Sequence, residues 1–365
     1  VMNRIGRLMC LLALPCLCPL GQVQAATVGD TLSTPAMSSP QAQHAVLLDL
    51  ARAGERLVAV GERGIVLLSD DNGGSWRQAE VPVSVSLTAV QFADASNGWA
   101  VGHAGVVLVS HDGGEHWAVQ LDGRRAAQLE VQAARDDLPG ATDQDAAAAR
   151  VQTAERLVSD GPDKPFLALN VVDQQHVVIV GAYGLAFATR DGGRSWQSLV
   201  GHIDNPMGAH LYAIARQGER WLIAGEQGYL ARSDDGGNTF AALDSPYPGS
   251  FFALEISQDG TALAAGLKGN AFISTDFGDS FQPAPVPMPV SFSDAIRTAD
   301  GQLLLVNQGG ALFRTGARPG APLVPYGKPL GKPVASVVQA ADGSLVLAGF
   351  TGLTRVSPPS AIASE

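Results

Sequence analysis

Cysteine is nearly missing from this 365-residue chain: it has three, and all of them lie within the first 18 residues. The remainder therefore has no disulfide and no thiolate to offer a metal. No Gly-x-Ser-x-Gly elbow, phosphate-binding loop or dinucleotide-binding motif occurs, and the Arg-Ile-Pro motif of sialidases is absent. The net charge of −11 excludes a general attraction to nucleic acid or anionic lipid.

The first 26 residues have the pattern of a secretory signal. Arg4 and Arg7 form a basic start, Leu8–Leu20 an apolar run, and Val23–Ala25 a small-residue cleavage site. The apolar run is too short for a permanent transmembrane helix. The residue before each cysteine is not small, so lipidation is not expected. We therefore predict an exported protein that does not span a membrane.

One eight-residue turn of the form Ser/Thr-x-Asp-x-Gly-x-x-Trp/Phe occurs five times. Its aspartate and aromatic residues are Asp71 and Trp76, Asp112 and Trp117, Asp191 and Trp196, Asp235 and Phe240, and Asp276 and Phe281. We expect the carboxylate to accept backbone N–H bonds from two or three residues on, the glycine to have positive φ, and the ring to pack between sheets. A calcium site would need further acidic ligands, so these turns, known as Asp boxes, are interpreted as structural.

Each Asp box ends a longer repeat in which a Gly-x-x-Gly turn separates two apolar runs. Five such units are followed by two degenerate copies at Asn307/Gly310 and Gly349/Gly352, and the seven units have spacings of 41–44 residues, except for one of 79. The third unit predicts strands at Phe166–Val172, Val177–Val180 and Leu185–Thr189 and a fourth strand from Trp196. We therefore predict an all-β fold: a seven-bladed β-propeller of four-stranded antiparallel blades over residues 27–357, with a disordered tail at 358–365.

Two features of the repeat need separate interpretations. The seventh unit lacks a fourth strand, and residues 27–35 resemble one, so we predict that they close the last blade. The long spacing places an insertion at 122–163, where apolar residues recur at helical intervals on either side of Pro139. This predicts a helical hairpin whose second helix is capped by Asp143. Because its apolar faces are narrow and rich in alanine, we expect the hairpin to dock weakly or to stay mobile.

Asp boxes combined with Val-Gly-x-x-Gly turns over seven units resemble the photosystem II stability and assembly factor family, over about residues 27–357. The resemblance implies an exported, non-enzymatic interaction scaffold that aids assembly or stability of a membrane-protein complex in the envelope or thylakoid. It implies a periplasmic location, or the lumenal side of the thylakoid in a phototrophic host. Asp boxes also occur in sialidases, so a BNR-type carbohydrate-binding protein or glycoside hydrolase is the alternative.

In a propeller the Gly-x-x-Gly turns and the connections between blades share one face, opposite the Asp boxes. Because loops on a rigid scaffold are the usual place of function, we predict that a protein partner binds this face. The candidate residues are Glu62, Arg63, His103, Tyr183, His202, Asp204, His210, Glu226, Gln227, Lys268, Gln308 and Phe350.

Catalytic and metal-binding interpretations of the same face are weaker. Glu62 and Glu226 belong to units one and four, which is too far apart for a glycosidase pair. His103 lies on another unit than His202 and His210, so a zinc site is not indicated. We therefore expect a monomer without cofactor, metal or catalytic residues.

Overall fold

The structure is a computed structural model, and it describes residues 30–316, 318 and 320–357. These residues form seven antiparallel sheets, six of four strands and one of three. Blade one contains β1 (Leu47–Ala53), β2 (Arg56–Gly61), β3 (Val66–Ser69) and β4 (Arg77–Gln78). Blade two contains β5 (Leu87–Phe92), β6 (Gly98–Gly102), β7 (Val107–Ser110) and β8 (Ala118–Leu121). It is followed by helices α1 (Gly123–Asp137) and α2 (Gln144–Asp160).

Blades three to seven continue the pattern in chain order. Blade three contains β9 (Phe166–Val171), β10 (Val177–Gly181), β11 (Ala186–Thr189) and β12 (Gln197–Ser198). Blade four contains β13 (Leu211–Gln217), β14 (Arg220–Gly225), β15 (Leu230–Ser233) and β16 (Ala241–Ala242). Blade five contains β17 (Phe251–Ile256), β18 (Ala262–Gly266), β19 (Ala271–Ser274) and β20 (Gln282–Pro283). Blade six contains β21 (Phe292–Arg297), β22 (Leu303–Asn307), β23 (Leu312–Arg314) and β24 (Val324–Pro325), and blade seven contains β25 (Ser336–Gln339), β26 (Leu345–Gly349) and β27 (Gly352–Val356).

The seven sheets form a closed ring. The first strand of each blade contacts the first strand of the next, and β25 contacts β1. Buried apolar side chains form one cluster between every two neighbouring blades. Because every sheet buries both faces, its strands are almost continuously apolar, as Val177–Gly181 illustrates. The predicted seven-bladed propeller is confirmed, and the strands predicted for the third unit match to within about one residue.

The Asp boxes join the third strand of a blade to its fourth. In the first box, Asp71 accepts the N–H of Ser75 at 2.8 Å and the hydroxyls of Ser69 and Ser75 at 2.8 and 2.7 Å. The backbone partner lies four residues on, not two or three as expected, because the glycine turn folds the chain back over the carboxylate. That glycine has positive φ in all five boxes, between 82° and 97°. Hydrogen bonds from Ser75, first from its side chain and then from its backbone, lower the pKa of Asp71 to about 2.

The aromatic residue of the box packs against the preceding blade. Trp117, Trp196 and Phe240 are buried in the clusters shared with blades one, two and three. Trp76 of the first box and Phe281 of the fifth are only partly buried, and in the fifth box Phe277 inside the turn is buried instead. The Asp boxes therefore fix the spacing between sheets as well as the turn.

The two faces of the ring are built from different loops. Arg56, at the start of β2, bonds Asp70 beside the first Asp box at 2.6 Å and Glu115 in the second at 2.9 Å. The opposite surface, which we call the tip face, holds the Gly-x-x-Gly turns and the connections between blades. A Cβ on Gly64 there would lie 2.1 Å from the carbonyl oxygen of Val83, in the connection to blade two. The predicted division into two faces matches these contacts.

Ring closure differs from the prediction that 27–35 completes the last sheet. Residues 27–29 lie outside the described residues, and Asp30 begins a turn that extends to Ser33. The carboxylate and carbonyl of Asp30 accept the N–H groups of Leu32 and Ser33, so this backbone is not free for a strand. Blade seven keeps three strands within the described part of the chain. The turn between β26 and β27 is instead packed against the segment around Gln43, since a Cβ on Gly352 would lie 2.1 Å from the carbonyl oxygen of Gln43.

The insertion at 122–163 is the predicted helical hairpin, and it lies on the tip face. Asp122 and Asp143 cap α1 and α2 by accepting the N–H groups of Arg125 and Ala146. The expectation of weak docking or mobility rested on the narrow apolar faces alone, and polar contacts add to these faces. Glu130 of α1 is 2% exposed and binds Arg150 of α2 at 2.8 Å, together with the hydroxyl of Ser198 in β12.

Candidate functional site

Five tips of the propeller hold a non-glycine residue in the left-handed region. Each tip is a single 3₁₀ turn, at Glu62–Gly64, His103–Gly105, Ala182–Gly184, Glu226–Gly228 and Leu267–Gly269. The middle residues are Arg63, Ala104, Tyr183, Gln227 and Lys268, with φ between 52° and 57°. All but Ala104 are exposed. The turn therefore directs one side chain per blade outward from the ring.

The glutamates at two of these tips bind their own blade. Glu62 accepts the N–H of Val46 at 2.9 Å, and Glu226 accepts the N–H of His210 at 3.2 Å. Both contacts satisfy the backbone N–H that precedes the first strand of the blade. The structure does not bring the two carboxylates together, because blades one and four are not neighbours in the ring. Their hydrogen bonds are those of structural residues.

Tyr183 and His210 are joined on the tip face by a hydrogen bond and by contact between their rings. The N–H of Tyr183 donates to Nδ1 of His210 at 2.9 Å, and the two ring centroids are 4.8 Å apart. Since Nδ1 accepts this bond, the proton of the neutral ring is on Nε2. The 3.6 Å separation between Nδ1 and Glu226 is therefore not an ion pair in this form. The side chain of Tyr183 is 57% exposed, with Lys164 Nζ 5.3 Å from its ring centroid.

This pair continues inward as a row of aromatic rings. The ring of Tyr212 lies 6.1 Å from His210, and that of Phe252 lies 5.2 Å from Tyr212. Tyr212 and Phe252 line the central channel, a cavity of about 830 Å³ bounded by the first strands of the blades. Aromatic contact therefore extends from the rim at Tyr183 to the channel mouth. The sequence contains this signal, because Tyr212 and Phe252 are both second in their strands.

A groove of about 1220 Å³ separates α2 from blades three and four. Its walls include Leu157 of α2, Tyr183, and the connection that carries His202 and Asp204. His202 and Asp204 are exposed, and Met207 in the same connection is 90% exposed. Four of the predicted residues, Tyr183, His202, Asp204 and nearby His210, therefore meet at one sector of the ring.

The other predicted residues are distributed around the tip face and do not converge. Arg63, His103, Gln308 and Phe350 are exposed on blades one, two, six and seven. The 61% exposure of Phe350 makes it a further apolar contact point. They extend the candidate surface but do not belong to the groove.

The groove is held open by residues that the sequence analysis did not select. Arg150 joins Glu130 to Asp137, whose carboxylate it meets at 2.7 Å. This pair of contacts ties α1 to α2, and Glu130 ties both to Ser198 of blade three. A glutamate in the middle of an alanine-rich helix was the available signal, but its partners lie 20 and 68 residues away.

The described residues contain no group of three or more His, Cys, Asp or Glu side chains placed to hold a metal. Among the same residues, no helix is long and apolar enough to cross a bilayer.

Comparison with known proteins agrees with this architecture. Residues 68–134 and 151–347, more than half of the chain, match the family described as photosynthesis system II assembly factor YCF48. The chain belongs to this family. One curated relative, the photosystem II assembly lipoprotein Ycf48 of Synechococcus sp. (strain CC9902), is 25% identical over 151 residues. That match covers 41% of this chain and 45% of the relative, so it spans less than half the length of the curated protein.

Solved structures share the fold. A YCF48 bound to a D1 peptide superposes with a TM-score of 0.62 at 14% identity, covering 90% of this chain and all of that one. YCF48 from Cyanidioschyzon merolae gives 0.59 at 14% identity, covering 88% of this chain and 97% of that one. The WD40 propeller domain of Doa1 gives 0.59 at 12% identity, with coverage of 91% and 97%. At such identities the similarity establishes a propeller and not a shared ligand.

Proposed function

We propose that this chain is an exported, non-catalytic assembly factor that binds a segment of a membrane protein on its tip face. The family match is the observation on which this proposal rests, since the family is named for photosystem II assembly. One structural neighbour is described as bound to a D1 peptide, which makes a photosystem II subunit the first candidate partner. In a host without photosystem II, another membrane-protein complex of the envelope takes its place.

The groove between α2 and blades three and four is our choice of docking position. It combines apolar contact at Tyr183 and Leu157 with polar groups at His202 and Asp204, which suits an extended peptide better than a flat surface does. The 90% exposed Met207 lies beside the groove, between the lining residues Pro206 and Gly208. The Asp-box face is less suited, because its arginines, such as Arg56, already have carboxylate partners.

Export, a monomeric state and the absence of catalysis complete the proposal. The location is the periplasm, or the lumenal side of the thylakoid in a phototroph, as the signal-like residues 1–26 suggest. Those residues lie outside the described structure. Glu62 and Glu226 have no catalytic role in this proposal, because both carboxylates accept backbone N–H bonds.

Peptide binding to purified protein tests the docking position. Fluorescently labelled peptides that cover the D1 protein are titrated with the chain and with Tyr183→Ser and Met207→Ser. We expect each variant to weaken binding by about tenfold or more, since a buried apolar contact contributes about 1.5–3 kcal/mol.

Val324→Ser is the matched control, because Val324 is 54% exposed but lies on the outer strand of blade six. It should bind as the wild type does. Equal affinities for all four proteins would refute the docking position. If no D1 peptide binds and pull-downs recover no envelope protein, the proposed function itself is wrong.

A further inference from the structure

In each blade one residue of the innermost strand pairs with the next-to-last residue of the second strand, and it is alanine in four blades and polar in the other three. The alanines are Ala89, Ala168, Ala213 and Ala253. Asp294 of β21, Ser336 of β25 and Asp49 of β1 occupy the same position, opposite Val306, Ala348 and Val60. Because blades six, seven and one are neighbours, these three side chains meet where the ring closes.

Ser336 bridges the two aspartates. Its Oγ lies 2.9 Å from Oδ1 of Asp49 and 2.9 Å from Oδ2 of Asp294. The same carboxylates accept backbone N–H groups from neighbouring blades, that of Val90 at 2.8 Å and that of Val337 at 2.9 Å. A chain of hydrogen bonds therefore connects blades six, seven, one and two around the channel.

The number of hydrogens available to Ser336 determines whether both of its contacts are hydrogen bonds. A serine hydroxyl has one hydrogen and donates to one acceptor only. Its second contact is a hydrogen bond only if the other carboxyl group carries a proton and donates to Oγ. We propose that a protonated Asp294 donates to Oγ of Ser336 and that Ser336 donates to Asp49. This one proton then holds blade seven in the ring.

The surroundings support a protonated carboxyl group. Arg52 of β1, Glu255 of β17 and Arg297 of β21 line the same channel, and no ion pair joins either arginine to the two aspartates within the described residues. The neighbouring strands β5, β22, β25 and β26 carry no ionisable side chain, and Arg56 of β2 is bound to the Asp-box face. Burial raises the pKa of Asp49 to about 6, while burial and then the charge of Asp49 raise the pKa of Asp294 to about 7. The higher value belongs to Asp294, and we therefore assign the donor role near neutral pH to Asp294.

The direction of the pH effect follows from these shifts. Both folded-state pKa values lie above the ordinary value of 3.8, so the folded chain binds a proton that the unfolded chain releases. The stabilisation is complete at acidic pH and is lost as the pH rises through about 6 and 7. Above that range two neighbouring carboxylates repel each other, and Ser336 can satisfy only one of them. Blade seven, with three strands in the described residues, is then held less firmly.

Carbon-13 NMR of protein labelled at the aspartate carboxyl carbons tests the shared proton directly. We expect one carboxyl resonance to titrate at about pH 7, and we expect it to be missing in Asp294→Asn. Asp204→Asn, which removes an exposed carboxylate of the tip face, should leave it unchanged. If every aspartate of the wild-type protein titrates below pH 5, the proposal is wrong, and this result does not depend on whether Asp294→Asn folds.

Hydrogen exchange tests the effect on the ring. The N–H of Val337 is held by Asp294, whereas that of Val171, between blades two and three, is held by the neutral side chain of Gln91. After correction for intrinsic rates, the protection of Val337 relative to Val171 should fall by about tenfold between pH 6 and 8, as one pKa unit corresponds to a factor of ten. A constant ratio would show that the contact does not depend on a proton.

Discussion

Removing the carboxylate of Glu130 should detach the helical hairpin without unfolding the propeller. The side chain of Glu130 is 3% exposed and that of its partner Arg150 is 19% exposed. Removing one partner of a buried pair costs about 3–5 kcal/mol. Arg150 keeps its contact with the half-exposed Asp137, so we expect the loss for Glu130→Ala at the lower end of this range. The hairpin is an insertion whose remaining contacts, at Ala126, Leu129 and Leu157, are few. We therefore expect Glu130→Ala to weaken the docking of the hairpin without reducing the stability of the propeller.

Hydrogen exchange measured residue by residue is the suitable assay. A loss of about 3 kcal/mol corresponds to a decrease in protection of about a hundredfold or more. This decrease should be confined to the amides of α1 and α2. The amide of Val178 in β10, within blade three, should keep its wild-type protection.

Glu155→Ala provides the matched control on the same hairpin. Glu155 contacts Arg135 at 2.6 Å, but both side chains are at least half exposed. An exposed pair of this kind contributes about 0–1 kcal/mol, so protection should change by less than about fivefold. If the Glu130 and Glu155 variants exchange alike, burial of the ion pair is not what holds the hairpin.

Three further predictions concern the repeat. The pKa of the aspartate is lowered to about 2 in all five Asp boxes, so the stabilisation by these carboxylates is present above the unfolded value of 3.8 and is lost as the pH falls through about 2. Circular dichroism should show acid unfolding in that range. A signal unchanged down to pH 2 would contradict this prediction. Gly64→Ala should lower the melting temperature more than Gly218→Ala, because both residues have positive φ but only the new methyl group at 64 meets a backbone carbonyl; equal losses would refute the close approach. Trp196→Ala should destabilise by about 3–5 kcal/mol in urea unfolding and the partly buried Trp76→Ala by less, and the reverse order would contradict the packing described.

The architecture was predictable because its determinants are local. An Asp box needs only residues within eight positions of each other, and its regular recurrence gives the number of blades directly. The strand bounds also follow from short apolar runs between glycines. Agreement at Phe166–Val171 and Val177–Gly181 reflects this, since no distant partner is needed to define those strands.

One failure has a local cause, and the others involve contacts between distant parts of the chain. Residues 27–35 resemble a fourth strand, but the hydrogen bonds of Asp30 to its own turn compete with pairing. Glu130 and Ser198 are 68 residues apart, and Asp49 and Ser336 are 287 apart. Aligning the seven repeats would have exposed Asp49, Ser336 and Asp294 as exceptions among the alanines of the innermost strand. Their hydrogen bonds follow only from knowing that the last blade contacts the first.

The left-handed backbone at the blade tips sets the proposed recognition of a partner against thermal stability. An L-residue at positive φ loses about 1–2 kcal/mol relative to glycine, and Arg63, Tyr183, Gln227 and Lys268 all accept this strain at exposed positions. Substituting glycine at any of them should therefore raise the melting temperature while erasing the side chain that a partner would contact. Directed evolution of this chain for heat tolerance alone would favour a more stable propeller whose tips no longer carry these side chains.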